Sequence, residues 1–363
     1  MQIGIVGLPN STKTTIFNAL TRSQAQTSAF SSGQVETNVA VVPVPDPRVG
    51  RLSAMFNPRK TTYARIDYHD IAGLRVGIGR EGALSGPLFN HVAQTDALLH
   101  VVRAFSDDRV AHPNGSVDPA RDLAALDFEF LFSDLLIVER RLERLDHDMK
   151  KKKADFVQQQ ADQEEHKLLT RIKATLENET PIRDLVLTPQ EEKRLRGYQF
   201  LTQKPVLVVL NVGDDGSVDP ADHLTYAHRQ SGIICIRGGL EMEIAQLDAE
   251  EAEMFLSEYG IEEPGLNRMI RVCYQLLGLQ SFFTVGEDEV RAWTIPQGAS
   301  AVEAAGAIHT DLSRGFIRAE VVGYADLIAA GSMAEARKQG KFRLEGRDYV
   351  VQDGDVMSIR FNV

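Results

Sequence analysis

The chain has 363 residues, too many for one average core, and its 43% hydrophobic and 25% charged residues lie near the mean for globular proteins. That composition excludes a disordered chain, and no stretch reaches the roughly 20 apolar residues a membrane-spanning helix needs. Forty basic and 51 acidic residues give a net charge of −11, which excludes a general attraction to phosphate backbones and leaves only local nucleic-acid contacts.

Met1 is followed directly by Gln2-Ile3-Gly4-Ile5-Val6-Gly7, a strand pattern running into a glycine turn, without the basic start and cleavage site of a secretory signal. A cytoplasmic protein is therefore expected. The next apolar runs, Ala40-Val42, Ala64-Tyr68 and Ala97-Val102, alternate with helical stretches, as in a parallel sheet with crossover helices. From Asp122 to Gln203 the pattern turns helical. Leu131, Leu135, Val138, Leu142 and Leu145 recur at three- or four-residue spacing, Lys150-Lys153 ends the run, and His166, Leu169, Ile172 and Leu176 mark a second arm. Two such helices predict an antiparallel hairpin whose lysine-rich tip is a solvated end or a contact for an acidic partner such as RNA. Lys204-Asn211 and Ile233-Ile236 return to apolar strands, which makes the hairpin an insertion.

After about Thr284 a β-rich unit is predicted, with strands at Trp293-Ile295, Ile317-Val322, Tyr349-Val351 and Val356-Arg360. The expected organisation is a nucleotide-binding domain from 1–121 and 204–280, a hairpin at 122–203 and a C-terminal domain at 281–363. Cys235 and Cys273 are too few and too distant in sequence for a disulfide framework or a closed zinc site.

The chemistry-bearing segment is Gly7-Leu8-Pro9-Asn10-Ser11-Thr12-Lys13-Thr14, between a strand and the amphipathic run Ile16-Leu20. This is the setting of a G-x-x-x-x-G-K-[ST] phosphate loop, in which backbone N–H groups hold phosphates, lysine reaches the terminal ones and the hydroxyl binds magnesium. Asn10, Ser11, Thr12, Lys13, Thr14 and Thr15 are therefore candidate nucleotide-binding residues. Thr12 replaces the second glycine. A β-branched residue at positive φ costs on the order of 1–3 kcal/mol, so weak affinity is one expectation.

Asp70-Ile71-Ala72-Gly73-Leu74 has the spacing of D-x-x-G, with Asp70 towards magnesium and Gly73 towards the γ-phosphate. Leu74 occupies the place of a water-orienting glutamine and has no hydrogen-bonding group, so hydrolysis is expected to be slow or to use another group. Asn211-Val212-Gly213-Asp214 stands where N-K-x-D reads guanine: Asp214 permits guanine, while Val212 removes the lysine. No catalytic side chain is assigned. His69 is weighed as a base and set aside because it alternates with Asp70 along the strand. Asn10 is either a ligand for a potassium ion beside the phosphates or an amide that holds the loop.

These residues resemble one family, the Obg-like ATPases called YchF or EngD, over essentially the whole chain. The marks are Gly7-Asn10, Lys13-Thr15, Phe17-Leu20, the long block Asn38-Arg48, Asp70-Leu74, the hairpin and a C-terminal end like the TGS domain. The resemblance implies an α/β P-loop NTPase of the G-domain kind with an inserted antiparallel helical hairpin and a small C-terminal β-rich TGS-like domain. It implies a cytoplasmic enzyme that hydrolyses ATP, or GTP, with Mg2+. Its partner is the ribosome, as large subunit or whole particle, with RNA contacts through the hairpin and TGS-like domain and no membrane. The family usually has N-x-x-E at the base-reading position, so Asp214 stands between an ATP-favouring and a GTP-favouring residue. The alternative is a nucleotide-independent ribosome- or RNA-binding module with an impaired loop. Ser31-Thr37 departs from the family's usual sequence, so no switch hydroxyl is assigned.

Overall fold

The computed structural model describes residues 1–21, 38–71, 86–107, 109–150 and 156–362. Seven strands come first: β1 Gln2–Val6, β2 Asn38–Pro43, β3 Lys60–Thr62, β4 Arg65–Asp70, β5 Ala97–Arg103, β6 Val206–Asn211 and β7 Ser231–Ile236. All but β3 form a sheet in the order β2-β4-β1-β5-β6-β7, in which β4, β1, β5, β6 and β7 run parallel. Every residue of β5 and β6 is buried, which is why these strands read as unbroken apolar runs instead of alternating ones. The chain builds from β1 towards β4 on one side and returns to β5 on the other. The carboxyl end of β1 therefore lies at the sheet's switch point, where α/β proteins bind ligands.

The long helical periodicity forms helices Pro119–Lys150 and Phe156–Glu177. Ion pairs link Glu139 to Lys173 at 2.7 Å, Arg141 to Glu165 at 2.8 Å and Asp146 to His166 at 3.1 Å. From the Glu139–Lys173 pair to the Asp146–His166 pair the number rises on one helix and falls on the other, so the two helices are antiparallel. Val138, Leu145, Leu168, Leu169, Ile172 and Leu176 close its apolar seam. Lys151-Lys153 of the expected tip lie outside the described residues. At the base, the fully buried Asp134 accepts from Leu201 N at 2.9 Å, Thr202 N at 2.7 Å and Thr202 Oγ1 at 2.6 Å. Those bonds tie the first helix to the chain returning towards β6.

The remaining strands are β8 Leu279–Thr284, β9 Glu289–Pro296, β10 Phe316–Gly323, β11 Arg343–Glu345 and β12 Asp355–Phe361. They form a second sheet in the order β11-β10-β12-β8-β9-β3, over a core that includes Phe282, Ile295, Ala301, Ala304, Phe316 and Val321. β3 joins it in parallel with β9, and Thr62 Oγ1 donates to Glu289 Oε1 at 2.6 Å. Accordingly the chain gathers into two compact units, Met1–Ala40 with Asp67–Leu266 and Val41–Ile66 with Asn267–Val363. In the second unit Asp46 caps helix Pro47–Phe56, and Arg48 bridges Asp46 and Asp353, each at 2.8 Å, beneath the ring of Phe283.

Two local expectations differ from the structure. Leu279–Thr284, not among the predicted strands, forms β8, between β12 and β9 in the second sheet. Tyr349-Val351 makes no strand: Val350 forms one isolated bridge with Ser300, while the Tyr349 hydroxyl turns to Asp355 at 2.8 Å. Replacing Asp134 by alanine orphans two buried backbone N–H groups. Urea unfolding of the full chain is expected to show a loss of about 2–4 kcal/mol in the unit that carries the hairpin.

Candidate functional site

Gly7 follows the last residue of β1, and a Cβ there would lie 2.5 Å from the Val101 carbonyl oxygen and 2.6 Å from Ser11 Oγ. Only glycine lets the chain turn back so close to β5. The reversal continues through Asn10 at φ 60° and Thr12 at φ 69°, both left-handed, and helix Lys13–Thr21 starts immediately. The Thr15 and Ile16 N–H groups donate to the Thr12 carbonyl, at 3.1 and 3.2 Å. Asn10 Nδ2 donates to the Ala111 carbonyl at 3.1 Å, pinning the loop to the segment after β5. Arg103 orders that segment by donating to the carbonyls of Phe105, Asp107 and Val110.

Lys13 is only 6% exposed, and its Nζ donates to the Leu8 carbonyl at 2.8 Å and the Gly7 carbonyl at 3.2 Å. Burial pulls its pKa down to about 8, against the opposing field of Asp70. Asp70, at the end of β4, is pushed above the ordinary carboxylate range by burial, while Lys13 and a bond from Thr14 act the other way. Thr14 Oγ1 lies 3.4 Å from Asp70 Oδ2. Side chains 56 residues apart thus meet because β1 and β4 are neighbours with Ile5 beside Asp70. Burial alternates along β4, so His69 points away from the face that carries Asp70.

The end of β6 comes to the same loop. Asn211 Nδ2 donates to Thr12 Oγ1 at 2.6 Å, and Asn211 Oδ1 accepts from Gly238 N at 2.8 Å. Gly238 opens helix Gly238–Gln246, and a Cβ on it would fall 2.7 Å from Asn211 Oδ1. Asp214 is exposed, with a carboxylate oxygen 3.5 Å from where a Cβ of Gly239 would be, against the electropositive start of that helix. Val212 is instead turned into an apolar cluster with Val102, Leu123, Val208, Leu210 and Cys235.

Comparison with known proteins covers the length of the chain. A model for the C-terminal part of YchF GTPases, described as a protein of unknown function, matches residues 279–362, and one described as a 50S ribosome-binding GTPase matches 2–129. The chain is 43% identical to a ribosome-binding ATPase YchF of Bacillus subtilis, covering 99% of both chains. The chain belongs to the YchF family. It is also 42% and 41% identical to ribosome-binding ATPases YchF of Haemophilus ducreyi and Escherichia coli O157:H7, over 99% of each chain. The solved Schizosaccharomyces pombe YchF GTPase superposes with a TM-score of 0.82 at 29% identity, covering 99% of this chain and 97% of that one.

Within this YchF-family chain, Gly73, Leu74 and the Ser31-Thr37 segment lie outside the described residues. The structure adds residues that sequence reasoning missed: Ala111, Arg103 and Gly238. Of these only Gly238 carried a signal, a Gly-Gly pair opening a helix directly after a strand. His100 lies in β5 beneath the loop and, with Ser11, Arg103, His112 and Asp122, lines a cavity of about 10 Å3, room for one water. Burial, then the charges of Lys13 and Arg183, drive its pKa down to about 3.

Below pH about 6.5 the unfolded chain takes up a proton at His100 that the folded chain refuses, so acidification costs stability by up to about 1.4 kcal/mol per unit down to pH about 3. Asp134, pushed up to about 6 by burial, gains its proton first in the folded state and offsets part of this loss below pH 6. A His100→Gln variant retains the Asp134 contribution alone. Its unfolding free energy, measured from pH 7 to pH 4, is expected to fall less steeply than that of the wild type.

Proposed function

We propose that this YchF-family chain is a magnesium-dependent P-loop hydrolase of ATP, with GTP as second substrate, and that it works on ribosomes in the cytoplasm. The observation that carries this reading is the meeting of Lys13, Thr14 and Asp70 at the carboxyl ends of β1 and β4. An ammonium, a hydroxyl and a carboxylate gather there at the mouth of a loop whose backbone turns through two left-handed residues.

A hydroxyl and a carboxylate oxygen 3.4 Å apart form a hard-oxygen set of the kind that suits an ion which keeps several of its waters. Thr14 and Asp70 would hold Mg2+, which supplies charge neutralisation at the terminal phosphates when bound. Lys13 exchanges the Gly7 and Leu8 carbonyls for phosphate oxygens, a favourable trade for a buried ammonium. The backbone of Asn10, Ser11, Thr12 and Thr15 lines the loop, and Gly73 takes the γ-phosphate contact. Asn10 has its amide nitrogen committed to Ala111, which leaves its oxygen for a potassium ion. Asn211, Val212 and Asp214 are assigned to the base side. ATP is placed first because the curated relatives are named ATPases; Asp214 keeps GTP in range because its carboxylate accepts from guanine N1 and N2.

The working division is a nucleotide domain of 1–121 and 204–280, a hairpin at 122–203 and a TGS-like domain at 281–363. The last two are assigned to the ribosome, as large subunit or whole particle, and to its RNA, in keeping with relatives named as ribosome-binding. In the C-terminal basic cluster Arg337 pairs with Glu320, Lys338 with Glu335 and Lys341 with Asp326. Glu320 is buried, whereas the Lys338 and Lys341 pairs are exposed and worth about 0–1 kcal/mol each, so an RNA phosphate displaces those two readily. One observation favours a second reading, a ribosome-binding module indifferent to nucleotide: Thr12 holds a strained φ of 69° where the loop pattern has glycine.

Phosphate release from ATP with magnesium is expected to fall by about 100-fold or more in Lys13→Ala, and a rate insensitive to that change supports the second reading. Lys338→Glu combined with Lys341→Glu is expected to reduce co-sedimentation with ribosomes, most clearly at low salt. Unchanged pelleting removes the cluster from the contact.

A further inference from the structure

Helix Ala249–Glu258 differs from the helix before it: none of its described side chains is buried, whereas Gly238–Gln246 buries Glu241 and Ile244. What holds it is largely local. Asp248 accepts from Glu250 N at 3.0 Å and Glu251 N at 2.9 Å, Glu251 reaches back to Asp248 N, and the Phe255 and Tyr259 rings stack with centroids 4.6 Å apart. Ala252, Phe255 and Leu256 are half-buried, while Met254 is 73% and Tyr259 61% exposed. One helical turn to either side of Met254 stand Glu250, Glu251 and Glu258, all exposed. From Asp248 to Glu263 the chain carries seven carboxylates and no basic residue.

We propose that this helix is a docking face for the basic surface of a protein, with Met254 and Tyr259 as apolar anchors and Glu250 and Glu258 as partners for lysine or arginine. The choice of occupant follows from charge: carboxylates around an apolar centre repel the phosphates of RNA and complement a lysine- or arginine-rich protein surface. Methionine and tyrosine suit the centre of such a contact, because both are enriched there and the thioether adapts to irregular partners, while glutamates sit at the rim. That the partner is a ribosomal protein rests on the ribosome reading given above. The contact is opposite in sign to the C-terminal basic cluster, which is assigned to RNA.

The test places a photo-crosslinker on the face, as Met254→p-benzoylphenylalanine in the full chain, and irradiates it after co-sedimentation with purified ribosomes. The readout is adduct per pelleted chain, with the captured molecule identified by mass spectrometry. A basic ribosomal protein is expected. Adding Glu250→Lys and Glu258→Lys to the same chain is expected to cut that adduct about fivefold or more, through like-charge repulsion. The milder pair Glu250→Gln and Glu258→Gln keeps side-chain size and leaves the Asp248 cap intact, so it answers the same question should the lysines melt the helix; a drop of about twofold is expected. An adduct to ribosomal RNA or to an acidic protein, no adduct, or a protein adduct whose yield neither pair changes overturns the proposal and leaves ribosome binding standing. A wild type that does not pellet with ribosomes overturns the ribosome reading and the proposal with it.

Discussion

The site depends on how closely β1 approaches β5 where β1 ends. With a Cβ at Gly7 excluded by the Val101 carbonyl and Ser11 Oγ, at 2.5 and 2.6 Å, the backbone has one compact way to reverse. That reversal places the Leu8 carbonyl under the Lys13 ammonium and starts a helix at Lys13, shortly after the strand ends at Val6. Lys13 is consequently buried by the chain itself. The parallel pairing with β4 then brings Asp70 into the same low-dielectric space.

Burial sets the electrostatics. Taken alone it pushes Lys13 and Asp70 towards their neutral forms, and each is the other's main opposing charge. Desolvation remains the larger effect on both. Such a pair is poorly satisfied by itself and gains from further charges, a phosphate for the lysine and a cation for the carboxylate. The segment after β5 supports this arrangement from below: Arg103 shapes it, Ala111 holds Asn10, and Asp122 at the start of the long helix shares a small cavity with Ser11.

The parallel sheet was legible because β5 and β6 are buried on both faces and their apolar runs are unbroken. The hairpin was legible because Val138, Leu145, Leu169 and Ile172 repeat at helical spacing. β3 was not: Lys60-Thr61-Thr62 is short and polar, and only pairing with β9, more than 220 residues later, makes it a strand. At the site, Lys13, Thr14 and Asp70 follow local motifs and could be named from them. The strain at Thr12 was legible too, since a β-branched residue replaced glycine. The hydrogen bond from Asn211 to Thr12 was not, because the two are 199 residues apart and hydrogen-bond geometry leaves no periodic trace. His100 looked like one more member of an apolar strand; the cavity that makes it polar in context arises from β5, the loop and a helix together.

The central claim is that the loop of residues 7–14 receives a nucleoside triphosphate together with a divalent ion held by Thr14 and Asp70. Titrating ATP into the wild-type chain by calorimetry, with magnesium and again with the ion chelated, tests it most directly. The account predicts one saturable site per chain with magnesium and markedly weaker binding without it, the difference collapsing in Asp70→Ala. Binding of equal strength with and without the ion, or a magnesium dependence that survives Asp70→Ala, would contradict it.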